Sequence, residues 1–244
     1  MTSAIIVAAG KGTRMGPNID KLFLELAGRP VVAQTWARFE AAPCIAEIIL
    51  VVRDGMQSAF ADLATQHGFR KPHRIVVGGR ERQDSVWNGL EALSTGSEIV
   101  AIQDGARPCT EVELIEATVR AAKSEGAAVA AQPVTDTIKE SFDGAMISRH
   151  LDRSRLWAVQ TPQAFRVDVI RKALELVRER GLVVTDDTAA CELIGQPVRL
   201  VTSSRPNPKV TVPADLPYCE LLLRAGLGEL PRMDTNEHQS GSIL

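Results

Sequence analysis

The loop V-A-A-G-K-G-T-R-M-G at residues 7–16 joins an apolar segment to glycines and cations. Its glycine spacing, G-x-G-x-x-x-G, fits neither the Walker loop nor the dinucleotide fingerprint G-x-G-x-x-G. Glycines still allow backbone N–H groups to approach phosphate oxygens, and Arg14 and Lys21 add two positive charges. These residue types together predict a triphosphate site, while a tight turn with solvated cations is the alternative interpretation.

Two further turns follow predicted strands. The segment G-G-R-E-R-Q-D-S ends in Ser85, where a capping Ser or Asp at a helix start is the simpler interpretation. The alternative is that the Ser85 hydroxyl and the backbone at Gly78 and Gly79 read the edge of a base. In Q-D-G-A-R-P, Asp104 follows a buried strand, where a carboxylate can bind Mg²⁺ between phosphates. A turn aspartate that accepts hydrogen bonds from its own backbone is equally compatible with this pattern.

Three other charged segments leave their role open. Arg107 lies on the same predicted rim as Asp104, so that it either binds a ligand or pairs with this carboxylate. Lys209 lies in a proline-stiffened stretch before a predicted short strand, where a solvated lysine is the ordinary interpretation. The segment T-D-D-T-A-A at residues 185–190 is typical of an acid-rich helix start and is not interpreted as catalytic.

Composition excludes several classes of protein. The chain has 244 residues, of which 45% are hydrophobic and 24% charged, and its net charge of -2 makes nucleic acid an unexpected partner. Its four cysteines are far apart without a C-x-x-C pair, which disfavours zinc sites and disulfide frameworks and favours a reducing cytoplasm. The apolar run at residues 4–9 is too short for a signal peptide, and no run approaches a membrane span. Neither G-x-S-x-G nor H-E-x-x-H occurs, which disfavours hydrolytic triads and zinc hydrolysis.

Short apolar runs alternate with amphipathic segments along the chain. The apolar runs lie at residues 4–9, 47–52, 74–77, 98–102, 126–134 and 197–201. Helical periodicity is found at residues 30–42, 58–68, 84–94, 111–126, 167–181 and 187–195. This alternation predicts an α/β fold with a mostly parallel twisted sheet covered by helices on both faces. Ligands then bind at the carboxyl ends of the strands, where the three turns described above meet.

The stretch at residues 135–160 interrupts this alternation. β-Branched residues flank Asp143-Gly144, which predicts a hairpin and a protruding β-arm. Residues 1–224 are predicted to form one domain, and residues 225–244 a flexible polar tail.

Seven short motifs occur in an order and spacing that match a known family. They are A-A-G-K-G-T-R-M-G with Lys21, G-G-R-E-R-Q-D-S, Q-D-G-A-R-P, P-V-T-D-T-I-K, L-W-A-V-Q-T-P-Q, T-D-D and N-P-K-V-T. From residue 3 to residue 222 the chain resembles the 2-C-methyl-D-erythritol 4-phosphate cytidylyltransferases of the non-mevalonate isoprenoid pathway. The resemblance implies a Rossmann-like nucleotidyltransferase fold and transfer of CMP from CTP to 2-C-methyl-D-erythritol 4-phosphate with release of pyrophosphate. It also implies a homodimer whose arm reaches the partner's active site.

The resemblance also implies roles for individual residues. Nucleotide binding falls to Ala8, Ala9, Gly10, Gly12, Gly79, Ser85 and Asp104. The triphosphate and the catalytic charge fall to Arg14, Lys21 and Lys209, with Asp104 beside Mg²⁺ or another divalent ion. Binding of the acceptor falls to Arg107, Thr137, Arg153 and Thr161. The chain departs from the common family pattern at Arg80, Gln103 and Gly105.

Three rival functions remain on sequence alone. Ribitol 5-phosphate is the alternative acceptor, because enzymes that use it share the triphosphate half and differ in the arm and the acceptor pocket. A nicotinamide dehydrogenase is suggested by Asp54 after the second long strand, but the glycine spacing and the long distance from the glycines to Asp54 argue against it. A non-catalytic nucleotide sensor is disfavoured by the joint presence of Arg14, Lys21, Asp104 and Lys209.

Overall fold

A computed structural model describes residues 1–10, 15 and 20–226. The strands are β1 (Thr2–Ala8), β2 (Glu25–Leu26), β3 (Arg29–Pro30), β4 (Glu47–Val52), β5 (His73–Val77), β6 (Ile99–Asp104), β7 (Ala127–Pro133), β8 (Lys139–Glu140), β9 (Arg149–His150), β10 (Trp157–Arg166) and β11 (Arg199–Thr202). The helices are α1 (Val31–Ala41), α2 (Gln57–His67), α3 (Arg82–Glu91), α4 (Val112–Glu125), α5 (Val167–Glu179), α6 (Asp187–Leu193) and α7 (Asp215–Gly226).

Within the described part of the chain, seven strands form the central sheet, in the order β11-β7-β10-β6-β1-β4-β5. The neighbours pair in parallel except at β10, which runs antiparallel to both β6 and β7. At the centre Ile5 of β1 lies opposite Ile49 of β4 and Ile102 of β6. The predicted α/β fold with a mostly parallel sheet is therefore confirmed.

Helices cover both faces of this sheet. Because successive side chains of a strand point to opposite faces, Ile5 and Ile6 enter two different hydrophobic clusters. The cluster of Ile6 includes Trp36 of α1, and that of Ile5 includes Leu90 of α3. Burial on both faces explains why the strands are continuous apolar runs rather than alternating ones.

Three local predictions differ from the structure. Strand β10 lies partly inside the stretch assigned to the arm, and the short hairpin of β2 and β3 was not predicted. In the described chain no strand follows Lys209, and this irregular segment is held in part by a bond from the Val210 N–H to the Ala106 carbonyl. Helix α7 continues to Gly226, so the predicted tail overlaps its last residues, and the remainder lies outside the described residues.

The segment between β7 and β10 carries the predicted turn. Asp143-Gly144 lies between β8 and β9, which pair antiparallel with Lys139 opposite His150. Residues 141–150 are all exposed. The role of this segment as an arm stays a prediction.

Among the described residues, no helix combines the length and the apolar character that a membrane crossing requires.

Candidate active site

The carboxyl ends of β1 and β6 and the turn after β5 border a cavity of about 210 Å³. Eight predicted site residues line it, namely Ala8, Ala9, Gly10, Lys21, Gly79, Ser85, Asp104 and Lys209. Arg14 and Gly12 lie outside the described residues. The loops that follow β1 and β6 meet because these strands are parallel neighbours, and parallel strands end at the same edge of a sheet.

The glycine turn after β5 is closely packed. A Cβ at Gly78 would lie 2.4 Å from the Ala9 Cβ, and one at Gly79 would lie 2.2 Å from the Asp84 Cβ, so neither position has room for a side chain. The buried Ser85 hydroxyl accepts a bond from the Gly79 N–H at 3.1 Å and donates to the Glu81 carbonyl at 3.2 Å. Ser85 is therefore not the helix cap, because Glu81 occupies the cap and donates its N–H to Asp84 at 3.0 Å.

Three cations surround Asp104, the last residue of β6. The Lys209 Nζ lies 2.8 Å from its Oδ2, while Arg107 approaches Oδ2 at 3.5 Å and Arg82 approaches Oδ1 at 3.6 Å. Burial alone would raise the pKa of Asp104, but Lys209, Arg82 and Arg107 outweigh this and lower it to about 2. The carboxylate is therefore ionised at neutral pH, on the wall of the cavity.

This pKa predicts a loss of stability in acid. Because folding lowers the pKa of Asp104 from 3.8 to about 2, its contribution is complete above the higher value and is lost as the pH falls through the lower one. We expect Asp104→Asn to reduce the free energy of unfolding by about 2 kcal/mol near neutral pH and by much less in strong acid. Urea unfolding of both proteins over this pH range measures the difference, and a constant difference would contradict the assignment.

Arg82 and Asp187 were not selected from the sequence. Arg82 begins α3 and lines the cavity, and its Nη1 donates to Oδ2 of the buried Asp187 at 2.7 Å. Burial raises the pKa of the Asp187 carboxyl, with Arg82 opposing this effect. The acid-rich helix start was recognised, and Asp186 is indeed the cap of α6, accepting from the Ala189 N–H at 2.9 Å. No local sequence pattern indicates that the next residue, Asp187, is buried.

Lys21 and Lys209 line the cavity and are held there by residues that are distant in sequence. Lys21 donates from Nζ to the Val210 carbonyl at 2.8 Å. The buried Asn207 holds the segment before Lys209, because its Nδ2 donates to the Thr161 carbonyl at 2.8 Å and its Oδ1 accepts from Thr110 at 2.9 Å. Asn207 is a third residue that the sequence did not identify, although it lies in the motif N-P-K-V-T.

Replacing Asn207 should affect both stability and turnover. We expect Asn207→Ala to lower the free energy of unfolding by about 1–3 kcal/mol, because it leaves buried polar groups without partners. We also expect a lower kcat, because the segment that carries Lys209 loses its anchor. Asn88→Ala is the control, since Asn88 donates one bond to the Val77 carbonyl at a more exposed position. Urea unfolding and steady-state kinetics measure both, and equal effects of the two substitutions would contradict the anchoring role.

The family model described as 2-C-methyl-D-erythritol 4-phosphate cytidylyltransferase matches residues 2–225. The chain belongs to this family. It is 43% identical over 229 residues to the cytidylyltransferase of that name from Pelotomaculum thermopropionicum, covering 93% of this chain and 96% of the relative. It is also 43% identical over 226 residues to the one from Geobacillus kaustophilus, covering 93% and 98%. The crystal structure of 4-diphosphocytidyl-2C-methyl-D-erythritol synthase from Anaerococcus prevotii superposes with a TM-score of 0.81 at 32% identity, covering 92% of this chain and 96% of that one.

The four acceptor residues that the cytidylyltransferase family implies lie apart from the cavity lining. Thr161 is buried and its Oγ1 accepts the Asp104 N–H at 3.1 Å, and Arg107 donates to the Asn207 carbonyl at 2.7 Å. Thr137 and Arg153 are exposed in the segment between β7 and β10, where Arg153 donates to the Thr135 carbonyl. The structure thus divides this set into two residues that support Asp104 and two that stand on the surface.

The departures from the cytidylyltransferase pattern have different surroundings. Arg80 has a side chain that is 92% exposed and lies 3.7 Å from Glu81, at the border of the cavity. Gln103 is buried and donates to Thr110 at 2.9 Å. A Cβ at Gly105 would lie 3.1 Å from the Val7 carbonyl oxygen, so a side chain at this position would require a small shift.

Proposed function

We infer that this chain transfers CMP from CTP to 2-C-methyl-D-erythritol 4-phosphate, forming 4-diphosphocytidyl-2-C-methyl-D-erythritol and releasing pyrophosphate. The observation that carries this inference is the cleft in which Lys21, Lys209 and Asp104 meet the glycine turn, in a chain that belongs to the cytidylyltransferase family. This reaction belongs to the biosynthesis of isoprenoids.

The charges of the reactants determine what the protein must supply. A phosphomonoester is largely dianionic near neutral pH, so an oxygen of the acceptor phosphate attacks the α-phosphorus of CTP without a protein base. A bond forms between this oxygen and the α-phosphorus, and the bond from the α-phosphorus to the bridging oxygen of the β-phosphate breaks. Pyrophosphate leaves with that bridging oxygen. Catalysis then consists of positioning and of stabilising negative charge.

The residues of the cleft match these two tasks. Lys21 and Lys209 both border the cavity, and Lys21 donates from Nζ to the carbonyl of Val210, the residue that follows Lys209. Together with Arg14 of the loop at residues 7–16, they neutralise the charge on the α-phosphate and on the departing pyrophosphate. The tight turn at Gly79 and the buried Ser85 form the polar surface against which the cytosine and ribose are bound.

A divalent ion fits the same edge. Mg²⁺ is usually bound through one or two carboxylates together with substrate phosphates, and Asp104 provides one ionised carboxylate on the cavity wall. The described residues contain no cluster of three acidic, histidine or cysteine ligands, so the phosphates would complete the coordination. When bound, Mg²⁺ or another divalent ion supplies further neutralisation of phosphate charge.

Release of pyrophosphate tests this function. With CTP and Mg²⁺, we expect release with 2-C-methyl-D-erythritol 4-phosphate and little with ribitol 5-phosphate at the same concentration. Release with ribitol 5-phosphate alone would support the transfer of CMP but would show that the acceptor is ribitol 5-phosphate. Release with neither acceptor would overturn the enzyme assignment.

We propose that the chain acts as a homodimer in which residues 135–160 contribute to the partner's acceptor pocket. Support comes from three large apolar side chains on the hairpin, with Phe142 88%, Met146 73% and Ile147 67% exposed. Apolar groups grouped on one surface are typical of a contact between proteins. Arg153 and Thr137 stand on this segment and away from the cavity of their own chain, which fits a contribution to a second subunit.

Subunit exchange tests this arrangement. Arg153→Ala and Lys21→Ala proteins should each be nearly inactive, and a mixture should recover part of the activity after exchange, because one site of the mixed dimer is intact. A mixture that stays inactive, although native mass spectrometry shows mixed dimers, would contradict the shared site. We further propose a cytoplasmic location, supported by four free cysteines.

A further inference from the structure

An ion pair at the edge of the cleft joins α3 to α6. Arg82 donates from Nη1 to Oδ2 of Asp187 at 2.7 Å, while its Nε lies 3.6 Å from Oδ1 of Asp104. A distance of 3.6 Å is too long for a hydrogen bond. Arg82 is therefore hydrogen-bonded to Asp187 and is only an electrostatic neighbour of Asp104, although all three groups are close together.

The position of Asp187 is unfavourable for a carboxylate. Its side chain is 1% exposed, and among the described residues no group hydrogen-bonds to its Oδ1. A buried ion pair is often no more stable than apolar residues that fill the same space. A gain in stability therefore explains poorly why a carboxylate is buried at position 187. The effect of Asp187 on Arg82 explains it better.

We propose that Asp187 is a positioning residue that restrains Arg82 and so keeps Asp104 available to the bound nucleotide. This inference rests on the proposed function, because it requires CTP in the cleft. Without the charge of Asp187, the carboxylate already within ion-pair distance of Arg82 is Asp104. A guanidinium can bind a carboxylate through two parallel hydrogen bonds, and Lys209 already holds Oδ2 of Asp104. Arg82 would then bind the carboxylate of Asp104 and block this edge of the cavity.

Four proteins test this role. Asp187→Asn retains the shape and removes the charge, Arg82→Gln removes the guanidinium, and a third protein carries both changes. Glu192→Gln is the matched control, because Glu192 is an exposed carboxylate on the same helix. The affinity for CTP is measured by calorimetry without acceptor, KM and kcat by pyrophosphate release, and folding by thermal melting.

The double variant gives the decisive comparison. We expect Asp187→Asn to lower kcat/KM for CTP about 10- to 100-fold, mainly through KM. The double variant should bind CTP as Arg82→Gln alone does, because the Arg82 guanidinium, which would otherwise turn to Oδ1 of Asp104, is absent from both proteins. The control should resemble the wild type. A double variant whose loss is the product of the two single losses would overturn the inference, since independent effects combine in that way.

The comparison holds even if one single variant is unstable. If Asp187→Asn does not fold, the double variant is compared with Arg82→Gln alone, and weaker CTP binding by the double variant overturns the inference. Wild-type protein that binds CTP but releases no pyrophosphate overturns the proposed function, while the affinities still test Asp187. Wild-type protein that binds no CTP overturns both.

Discussion

Lys21→Ala is expected to lower kcat about 10²-fold or more, which is comparable to losing one donor that stabilises the charge of a transition state. Lys21 borders the cleft, and its Nζ donates to the Val210 carbonyl at 2.8 Å, next to Lys209. The proposed function assigns its ammonium group to the negative charge that develops as pyrophosphate leaves. Steady-state release of pyrophosphate at saturating CTP and acceptor measures the effect.

A second lysine provides the control for this substitution. Lys71 also donates from Nζ to backbone carbonyls, at Phe39 and Ala42, and it is not among the residues that line the cavity. We expect Lys71→Ala to reduce the free energy of unfolding and to leave kcat unchanged. If Lys21→Ala behaves in the same way, Lys21 is a structural residue and its catalytic role is wrong.

Lys209→Met is expected to lower kcat by a similar factor, about 10²-fold, with little change in stability. The methionine retains most of the length of the side chain and removes the charge. Lys209 is 38% exposed, and Arg82 and Arg107 still neutralise Asp104 without it, so we expect the free energy of unfolding to change by about 1 kcal/mol or less. Kinetics and urea unfolding on the same preparations separate the two effects.

Lys172→Met serves as the control, because Lys172 is an exposed lysine of α5 away from the cavity. It should match the wild type in both measurements. A large loss of stability in Lys209→Met together with a normal kcat would show that Lys209 serves only as the counter-ion of Asp104.

Much of the fold could be predicted because burial on both faces leaves a clear pattern. The run E-I-I-L-V-V coincides with β4, and the other predicted parallel strands differ from the structure by few residues. β10 was missed for a physical reason. Its first residues are exposed and polar residues interrupt it, so it lacks the continuous apolar run of its neighbours.

Without the family resemblance, the place of a site residue could be predicted only where chain topology determines it. Asp104 ends β6 and the turn at Gly79 follows β5, and the rule for parallel sheets brings them together. Lys209 depends instead on the bonds of Asn207 and on one bond from Val210 to Ala106, none of which has a local signature. The same limit applies to Asp187, because its partner Arg82 lies 105 residues away in sequence and the local pattern is only that of a helix start.

The antiparallel strand β10 has a consequence for how this enzyme family could diversify. β7 and β10 are ladder partners, and the chain between them, residues 134–156, leaves and returns at the edge of the sheet that carries the cleft. Lengthening, shortening or replacing this excursion leaves the ladder on either side intact. The surface proposed to select the acceptor is thus a module that evolution or an engineer can exchange while the machinery for CTP stays constant.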